Sequence, residues 1–217
     1  MIVLADNDII LKLARCDLLS SLPELFGVAV DAIFIAPAAR FQLLPKKAEK
    51  ALSKCGDQAT VDRISAFLAV AQDIPAVADQ ALLGRLAAVP RIDSGEQLLF
   101  ASCVEASGSV LMTGDRTALM ALISSADALP DVYKALQDRV ITFESALLLA
   151  KNLFGFDAMK ARLLAYPDYE KEGVLKLIVK TDMLEANFSD CLISYSRAVS
   201  GFLAHKDKLP LELFEPV

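Results

Sequence analysis

Carboxylate side chains follow two apolar segments that lie far apart in the chain. Asp6 and Asp8 come after the run "IVLA", and Asp115 comes after "SVLM", separated from it by Thr113 and Gly114. Carboxylate oxygens are hard ligands, and a cluster of them repels itself unless cations occupy it. The chemistry they could perform is metal-assisted hydrolysis, in which two Mg²⁺ or Mn²⁺ ions about 4 Å apart activate a water and stabilise the leaving oxygen of a phosphodiester.

A third acidic segment, "RIDSGEQLLF", lies between these two. Asp93 is suited to cap a helix whose first turn carries Glu96. A helix that connects parallel strands begins where the preceding strand ends, so Glu96 could face the same edge as Asp6 and Asp115. We therefore predict Asp6, Glu96 and Asp115 as catalytic metal ligands, with Asp8 and Asp93 as supporting ligands.

Most of these acids also have a purely structural interpretation. Asp8 and Asp93 could cap helices, and Asp115 in "TGD" could be an ordinary turn residue. Asp6 is harder to explain in this way, because it directly follows an apolar run that should be buried. The joint pattern of the acids favours a functional site.

The elements that must position these acids alternate between short apolar strands and amphipathic helices. The predicted strands are residues 2–5, 31–37, 109–112 and 139–142. This alternation predicts an α/β fold with a mostly parallel central sheet flanked by helices. Because no convincing strand follows residue 150, we expect an α/β domain over residues 1–150 and a helical C-terminal extension over residues 151–217.

Composition limits the class of protein. The chain has 217 residues, 55% of them hydrophobic, and a formal net charge of -6. It can bury a substantial core, but it has no apolar run of the ~18–20 residues that a membrane-spanning helix needs. Acids also interrupt the first residues before any signal-peptide core develops. We therefore expect a cytoplasmic protein without a membrane partner, whose four scattered cysteines are buried small apolar residues.

Several enzyme classes lack support in the sequence. His205 is the only histidine, and no G-x-S-x-G motif is present, which disfavours serine and cysteine hydrolases. Neither G-x-G-x-x-G nor G-x-x-x-x-G-K occurs, which disfavours enzymes that use a nucleotide cofactor.

Basic residues that could contact a nucleic acid are concentrated in one region. Lys46, Lys50 and Lys54 recur at four-residue spacing and would share a face of one helix, with Arg40 upstream. This face is either a basic patch for RNA or a solvated helix surface. Because the net charge is negative, binding to nucleic acid requires a local patch of this kind.

Three motifs resemble those of the PIN domain, the fold of many toxin–antitoxin ribonucleases. They are "IVLADNDIILKL", "RIDSGEQLLFAS" and "VLMTGDRTAL", in this order, and the resemblance covers about residues 1–150. Asp6 matches the first acid of the family, and Asp8 stands where Asn or Ser is common. Asp93 and Glu96 match the family's "D-x-G-E" variant, and Asp115 matches the acid of its "T-x-D" motif.

The resemblance implies a three-layer fold and Mg²⁺- or Mn²⁺-dependent cleavage of RNA phosphodiester bonds. The residues then expected to contact RNA are Thr113, Arg116, Arg40, Lys46 and Lys50. The expected partners are RNA and an antitoxin-like protein, and a homodimer is also considered.

One position departs from the family pattern. The family carries a second acid, a Glu, on the helix after its second strand, whereas the matching stretch here is "APAARFQLL" with Gln42 at that position. An amide oxygen can coordinate a cation but adds no negative charge. Metal affinity should therefore be lower than the family pattern implies, unless Asp8 compensates.

Two alternatives remain open. "IVLADND" also resembles the nucleophile motif of haloacid-dehalogenase-type phosphatases, in which Asp6 would attack phosphorus, Asp8 would act as general acid and Thr113 would serve the second motif. Ile10 stands where that family has Thr or Val, and no later strand ends in an acidic pair. The other alternative is a non-catalytic PIN-like module that binds through its helical tail or the face from Lys46 to Lys54.

Overall fold

Short apolar segments form the strands of a central sheet. In the computed structural model, which describes residues 2–215, the strands are β1 (Val3–Ala5), β2 (Ile33–Ile35), β3 (Gln72–Asp73), β4 (Val110–Thr113) and β5 (Val140–Thr142). Neighbouring strands are all parallel, in the order β3-β2-β1-β4-β5. Val3 of the central strand lies opposite Ile33 on one side and Val110 on the other. The chain builds the sheet first on one side of β1 and then on the other, so the strand order reverses between β1 and β4.

Helices connect the strands and flank the sheet. They are α1 (Asn7–Arg15), α2 (Leu22–Phe26), α3 (Ala39–Leu43), α4 (Ala48–Cys55), α5 (Gln58–Val70), α6 (Gln80–Ala87), α7 (Ser94–Glu105), α8 (Arg116–Ser124), α9 (Pro130–Leu136), α10 (Phe143–Phe154), α11 (Phe156–Leu164), α12 (Leu175–Ile178) and α13 (Glu185–Ser196). The predicted α/β class, with a parallel central sheet flanked by helices, is confirmed.

The apolar face of α1 fixes the segment that follows β1. Ile9, Ile10 and Leu13 are fully buried, as the spacing of apolar residues in a helix that packs on a sheet requires. Burial of each such side chain stabilises the fold by about 1.5–3 kcal/mol. The start of α1, and with it the acidic segment "DND", is therefore held firmly at the end of the central strand.

The C-terminal extension packs back onto the same core. α10 runs through residue 150, where the domain boundary is predicted, and α13 packs against α10. The backbone N–H of Ala204 donates a hydrogen bond to the carbonyl of Val140 at 2.8 Å, which attaches the extension to β5. One continuous hydrophobic cluster contains residues from both parts of the chain.

Three elements differ from the sequence-based expectations. Within the predicted helical extension, the segment "DCLISYSRAVSGFLAH", whose apolar spacing predicts one helix, is divided: α13 begins at Glu185 and ends at Ser196, where a 3₁₀ segment continues it. β3 is not predicted, because both of its residues are exposed and it pairs with β2 alone, so it has no apolar run. α9 is also not predicted, although Pro130 occupies its first turn.

Three of the four cysteines are buried, as predicted. They are Cys16, Cys55 and Cys103, whereas Cys191 is partly exposed, and all four are free thiols. Among residues 2–215, no helix is both long and apolar enough to cross a lipid bilayer.

Candidate active-site cleft

A cleft of about 600 Å³ opens at the carboxyl ends of β1 and β4. Asp6 follows β1, and Asp115 follows β4 after one intervening glycine. The backbone N–H of Asp6 donates to the carbonyl of Met112 at 2.9 Å, so the two strand ends are held side by side. The residues predicted as metal ligands all line this cleft: Asp6, Asp8, Asp93, Glu96 and Asp115. In open α/β sheets, ligands bind where the strand order reverses, and this cleft lies at that point.

Asp6 is the N-cap of α1. Its Oδ1 accepts a hydrogen bond from the N–H of Asn7 at 2.7 Å, and its Oδ2 accepts one from the N–H of Asp8 at 3.3 Å. Burial raises the pKa of Asp6 to about 6, helped by the negative charges of Asp8 and Asp115 and opposed by the two backbone donors. Asp6 therefore has a structural role that its sequence context did not suggest, and its carboxylate is also short of nearby positive charge.

Asp93 and Glu96 form a capping box at the start of α7. Oδ1 of Asp93 accepts from the N–H groups of Gly95 and Glu96, and the N–H of Asp93 donates to Oε2 of Glu96 at 2.8 Å. Burial raises the pKa of Glu96 to about 8, together with a side-chain hydrogen bond to Asp93 and the charges of Asp93 and Asp115. The same side-chain bond lowers the pKa of Asp93. The pair therefore favours a protonated Glu96 beside an ionised Asp93.

Asp115 is the N-cap of α8, and Thr113 orients it. The N–H of Asp115 donates to Oγ1 of Thr113 at 3.0 Å, while Oδ1 of Asp115 accepts from Thr117 and Ala118. Capping thus uses one carboxylate oxygen. Thr113 is only 2% exposed and does not line the cleft. This placement corrects its predicted contact with RNA and also removes the hydroxyl that the phosphatase alternative requires at the phosphate.

A lysine from α1 lies inside the cleft. Nζ of Lys12 is 2.6 Å from Oδ2 of Asp8 and 3.4 Å from Oε2 of Glu172. It also lies 5.6 Å from the centre of the Phe143 ring. Burial acts to lower the pKa of Lys12, but the charges of Asp8, Glu172 and Glu144 outweigh it and raise this pKa. Lys12 therefore neutralises part of the acidic cleft from within.

Twelve residues that line the cleft are not part of the predicted site. Among them are Lys12, Lys54, Glu144, Glu172 and Tyr195. Glu144 could have been predicted from the sequence, because it lies in the first turn of the helix after β5, just as Glu96 lies in the first turn of α7. Glu172 and Tyr195 belong to the C-terminal extension, and no pattern in the sequence points to them.

Gln42 lies next to the cleft, at a neighbouring cavity of about 420 Å³. Asp6, Asp93 and Glu96 also line this cavity, whereas Asp115 does not. Oε1 of Gln42 accepts a hydrogen bond from Nδ2 of Asn7. The other amide atom of Asn7, Oδ1, is buried without a hydrogen-bond partner. An unpartnered buried acceptor of this kind has the chemistry of an oxygen ligand for a hard cation.

Three of the basic residues predicted to contact RNA have other positions. Arg40 donates to Oδ1 of Asp73 at 3.0 Å and to the carbonyl of Ala71 at 2.6 Å, so it joins α3 to the segment around β3. Lys46 precedes α4, and Lys50 is exposed on that helix; neither lines the cleft. The structure therefore places Arg40, Lys46 and Lys50 outside the cleft, and their contact with RNA stays a prediction.

Two other basic residues do reach the cleft. Lys54 lines it, and its Nζ donates to the backbone carbonyl of Gln42 at 2.6 Å. Arg116 also lines the cleft, as its predicted contact with substrate requires. Among residues 2–215, no carboxylate lies within ion-pair distance of Arg116.

The fit of a divalent cation can be judged from the donors and their charges. Asp6, Glu96 and Asp115 offer hard oxygen ligands, and Asn7 adds an unpartnered buried oxygen. Burial is the main cause of the raised pKa values of Asp6 and Glu96, and the charges of neighbouring carboxylates add to it. In the described part of the chain, however, no three His, Cys, Asp or Glu side chains are arranged so that they could hold one ion. The donors thus suit a hard cation in their chemistry, and their side chains must turn inward to bind it.

Comparison with known proteins identifies no relative. No family model, no curated protein and no solved structure matches the chain.

Proposed function

We propose that this protein is a PIN-like ribonuclease that uses Mg²⁺ or Mn²⁺ to hydrolyse RNA phosphodiester bonds. The observation that supports the proposal is the common location of Asp6, Glu96 and Asp115. These acids come from three segments that are far apart in the chain, yet all line one cleft where the strand order reverses. Structural capping explains why each acid is at a helix start, but it does not require three such helix starts to face one cleft.

The proposed cation ligands are Asp6, Glu96 and Asp115, with Asn7 Oδ1 as a neutral fourth donor. A bound Mg²⁺ or Mn²⁺ would supply a Lewis acid that polarises the phosphodiester and lowers the pKa of water. Asp115 has a free oxygen for this purpose, because it uses only Oδ1 for the backbone. Cation binding would displace the proton of Glu96, since a ligating carboxylate must be ionised.

The other cleft residues would hold the RNA and limit the charge of the site. Arg116 adjoins Asp115 and is free to form a charge-assisted hydrogen bond with a phosphate. Lys12 keeps Asp8 neutralised, so Asp8 is a supporting residue in this proposal. A polyanionic substrate could then approach a cleft that otherwise carries several negative charges.

Cleavage of single-stranded RNA with and without the cation tests the proposal. Labelled RNA should be cleaved in the presence of Mn²⁺, and EDTA should abolish this cleavage. Asp115→Asn keeps the cap, because Asn and Asp cap helices about equally well, but it removes the charge. We expect it to lower the rate by about 100-fold or more, as loss of a group that stabilises charge in the transition state does.

Asp57 provides the matched control for this experiment. It caps α5 through Oδ1, which accepts from the N–H of Thr60, and it does not line the cleft. Asp57→Asn should cleave RNA at the wild-type rate. Two results would contradict the proposal: cleavage that continues in EDTA, or a cleavage rate of Asp115→Asn equal to that of the wild type.

A second candidate function is RNA binding without catalysis. One observation favours it: the cleft contains its own cation, because Lys12 is already paired with Asp8 and Glu172. Gln42, in place of an acid, also lowers the negative charge of the site. A chain that binds RNA but neither cleaves it nor binds Mn²⁺ would support this alternative.

A further inference from the structure

The C-terminal extension supplies one wall of the cleft. Glu172, Gly173, Val174 and Tyr195 all line it, and they belong to two separate segments of the extension. Tyr195 lies near the end of α13, which packs on α10. The wall therefore combines the turn before α12 with α13, and the extension is part of the site.

Tyr195 presents an aromatic ring next to the acids. The central guanidinium carbon of Arg116 lies 5.8 Å from the centre of this ring, which is within the range of a cation–π contact. Tyr195 is partly exposed, and Arg116 is exposed. Arg116 is bonded directly to Asp115, so the ring and the guanidinium stand beside one of the proposed metal ligands.

We propose that Tyr195 stacks on a base of single-stranded RNA, while Arg116 contacts the adjoining phosphate. This inference rests on the proposed function and identifies the residue that would engage the base. Every base offers a flat face to an aromatic ring, so stacking binds single strands with little sequence preference. In a duplex the faces of the bases are covered by their neighbours, so the site should prefer unpaired RNA.

The arrangement explains how an acidic cleft could hold a polyanion. Five acids, together with Glu144 and Glu172, line the cleft, against the cations Lys12, Lys54 and Arg116. Attraction between charges alone would therefore be weak. Stacking adds a contact that does not depend on charge, and it places the bound nucleotide next to Asp115.

Binding of a short labelled RNA, followed by fluorescence anisotropy, tests the inference. All variants are prepared with Asp115→Asn, so that the RNA is not cleaved during the measurement. Tyr195→Leu should weaken binding about tenfold, whereas Tyr195→Phe, which keeps the ring, should not. RNA with abasic nucleotides should bind equally to the Leu variant and to the parent, because it has no base to stack.

A surface aromatic residue outside the cleft serves as the control. Phe41 is 66% exposed and does not line the cleft, so Phe41→Leu should leave RNA binding unchanged. Equal affinities of the parent and Tyr195→Leu would overturn the inference. The inference would also be overturned if Tyr195→Leu lost the same affinity for intact and for abasic RNA, or if the parent bound no RNA.

Steady-state cleavage by the chain with Asp115 intact separates this inference from the proposed function. Tyr195→Leu should raise KM and leave kcat nearly unchanged, since stacking is present in both the bound and the transition states. If Tyr195→Leu cleaves RNA in the presence of Mn²⁺ with an unchanged KM, the role of Tyr195 is contradicted, but the ribonuclease proposal is not. If RNA binding depends on Tyr195 but the chain with Asp115 intact cleaves no RNA, the ribonuclease proposal is contradicted, but the role of Tyr195 in binding is not.

Discussion

The carboxylate of Asp8 lies so close to Gly114 that no side chain fits between them. A Cβ atom added to Gly114 would be 2.2 Å from Oδ2 of Asp8 and 3.4 Å from Nζ of Lys12. Real Cβ atoms do not approach other atoms to 2.2 Å, so either Asp8 or the turn would have to move. A side chain at position 114 would therefore displace the Asp8 carboxylate and disturb its ion pair with Lys12.

Gly114→Ala tests the importance of this close contact. Asp8 would rotate away and take Lys12 with it, so we expect RNA cleavage to fall by at least tenfold. The loss of stability should be modest, about 1 kcal/mol, because the side chain of Asp8 is 48% exposed and can move into solvent. Gly84→Ala is the control, since a Cβ there meets nothing within 4 Å and a helix interior gains up to about 1 kcal/mol from the change. Unchanged cleavage by Gly114→Ala would show that the pair has no role in the site.

Two substitutions of Asp115 separate its capping role from its proposed catalytic role. Asp115→Ala removes the acceptor for Thr117 and Ala118 and should lower the free energy of unfolding by about 1 kcal/mol, whereas Asp115→Asn should change it little. Both should abolish cleavage. Urea unfolding and the RNA assay measure the two effects. An Asn variant that keeps full activity would mean that Asp115 is only a cap.

The raised pKa of Glu96 predicts how stability depends on pH. Between its ordinary pKa of 4.5 and about 8, the folded protein holds a proton that the unfolded chain releases, so the free energy of unfolding falls as the pH rises. Asp93, whose pKa is lowered, is ionised in both states over this range and adds no slope. Asp6, whose pKa is raised to about 6, adds a slope of the same sign below about pH 6. We expect a loss of about 2 kcal/mol from pH 5 to pH 8 in EDTA, or about 4–8 °C in the unfolding midpoint.

Glu96→Gln and Mn²⁺ provide the controls for this titration. Gln cannot titrate and still offers an oxygen to the N–H of Asp93, so the variant should show a flatter pH dependence. Mn²⁺ should raise the midpoint of the wild type more at pH 8 than at pH 5, because ligand binding competes with protons. A wild-type midpoint that rises between pH 5 and pH 8 in EDTA would contradict the assignment of a buried, protonated Glu96.

Gln42→Glu should strengthen the site by restoring a missing charge. Its carboxylate could still accept the hydrogen bond from Asn7, and it would face the cavity that Asp6 and Glu96 also line. We expect tighter Mn²⁺ binding and faster cleavage, since an added carboxylate attracts the cation with little screening in a cleft. Gln137→Glu makes the same charge change at an exposed position outside the cleft and should have no effect. Equal affinities for these two variants would mean that Gln42 is a surface residue without influence on the cleft.

The predictable part of the site is the part that local rules determine. Asp6 and Asp115 follow two paired parallel strands, so parallel pairing alone brings them to one edge. Glu96 lies in the first turn of α7, which is separated from β3 by α6, so its position also depends on how these helices pack. Glu144 obeys the same rule after β5 and could have been included. The sequence did not indicate that Asp6 is a helix N-cap, because an apolar run before an acid does not reveal that a helix begins at the next residue.

Other parts of the site depend on contacts between distant segments. Glu172 reaches Lys12 only because the extension folds back onto the core, and Tyr195 faces Arg116 for the same reason. Arg40 is a fixed link to Asp73 in the structure, although its charge alone favoured an exposed contact with RNA. Side-chain partners of this kind follow from tertiary packing and have no periodic signal in the sequence.

Calorimetric titration with Mn²⁺ tests the central claim most directly. The wild type, Asp6→Asn and Asp57→Asn are compared at pH 7.5 in the absence of RNA. Both variants keep the N-cap of a helix, but only Asp6 lines the cleft. Saturable binding to the wild type and to Asp57→Asn, with affinity at least tenfold weaker in Asp6→Asn, is the result we predict. Absence of binding to the wild type, or equal affinities in all three proteins, would contradict the cation site and the ribonuclease function built on it.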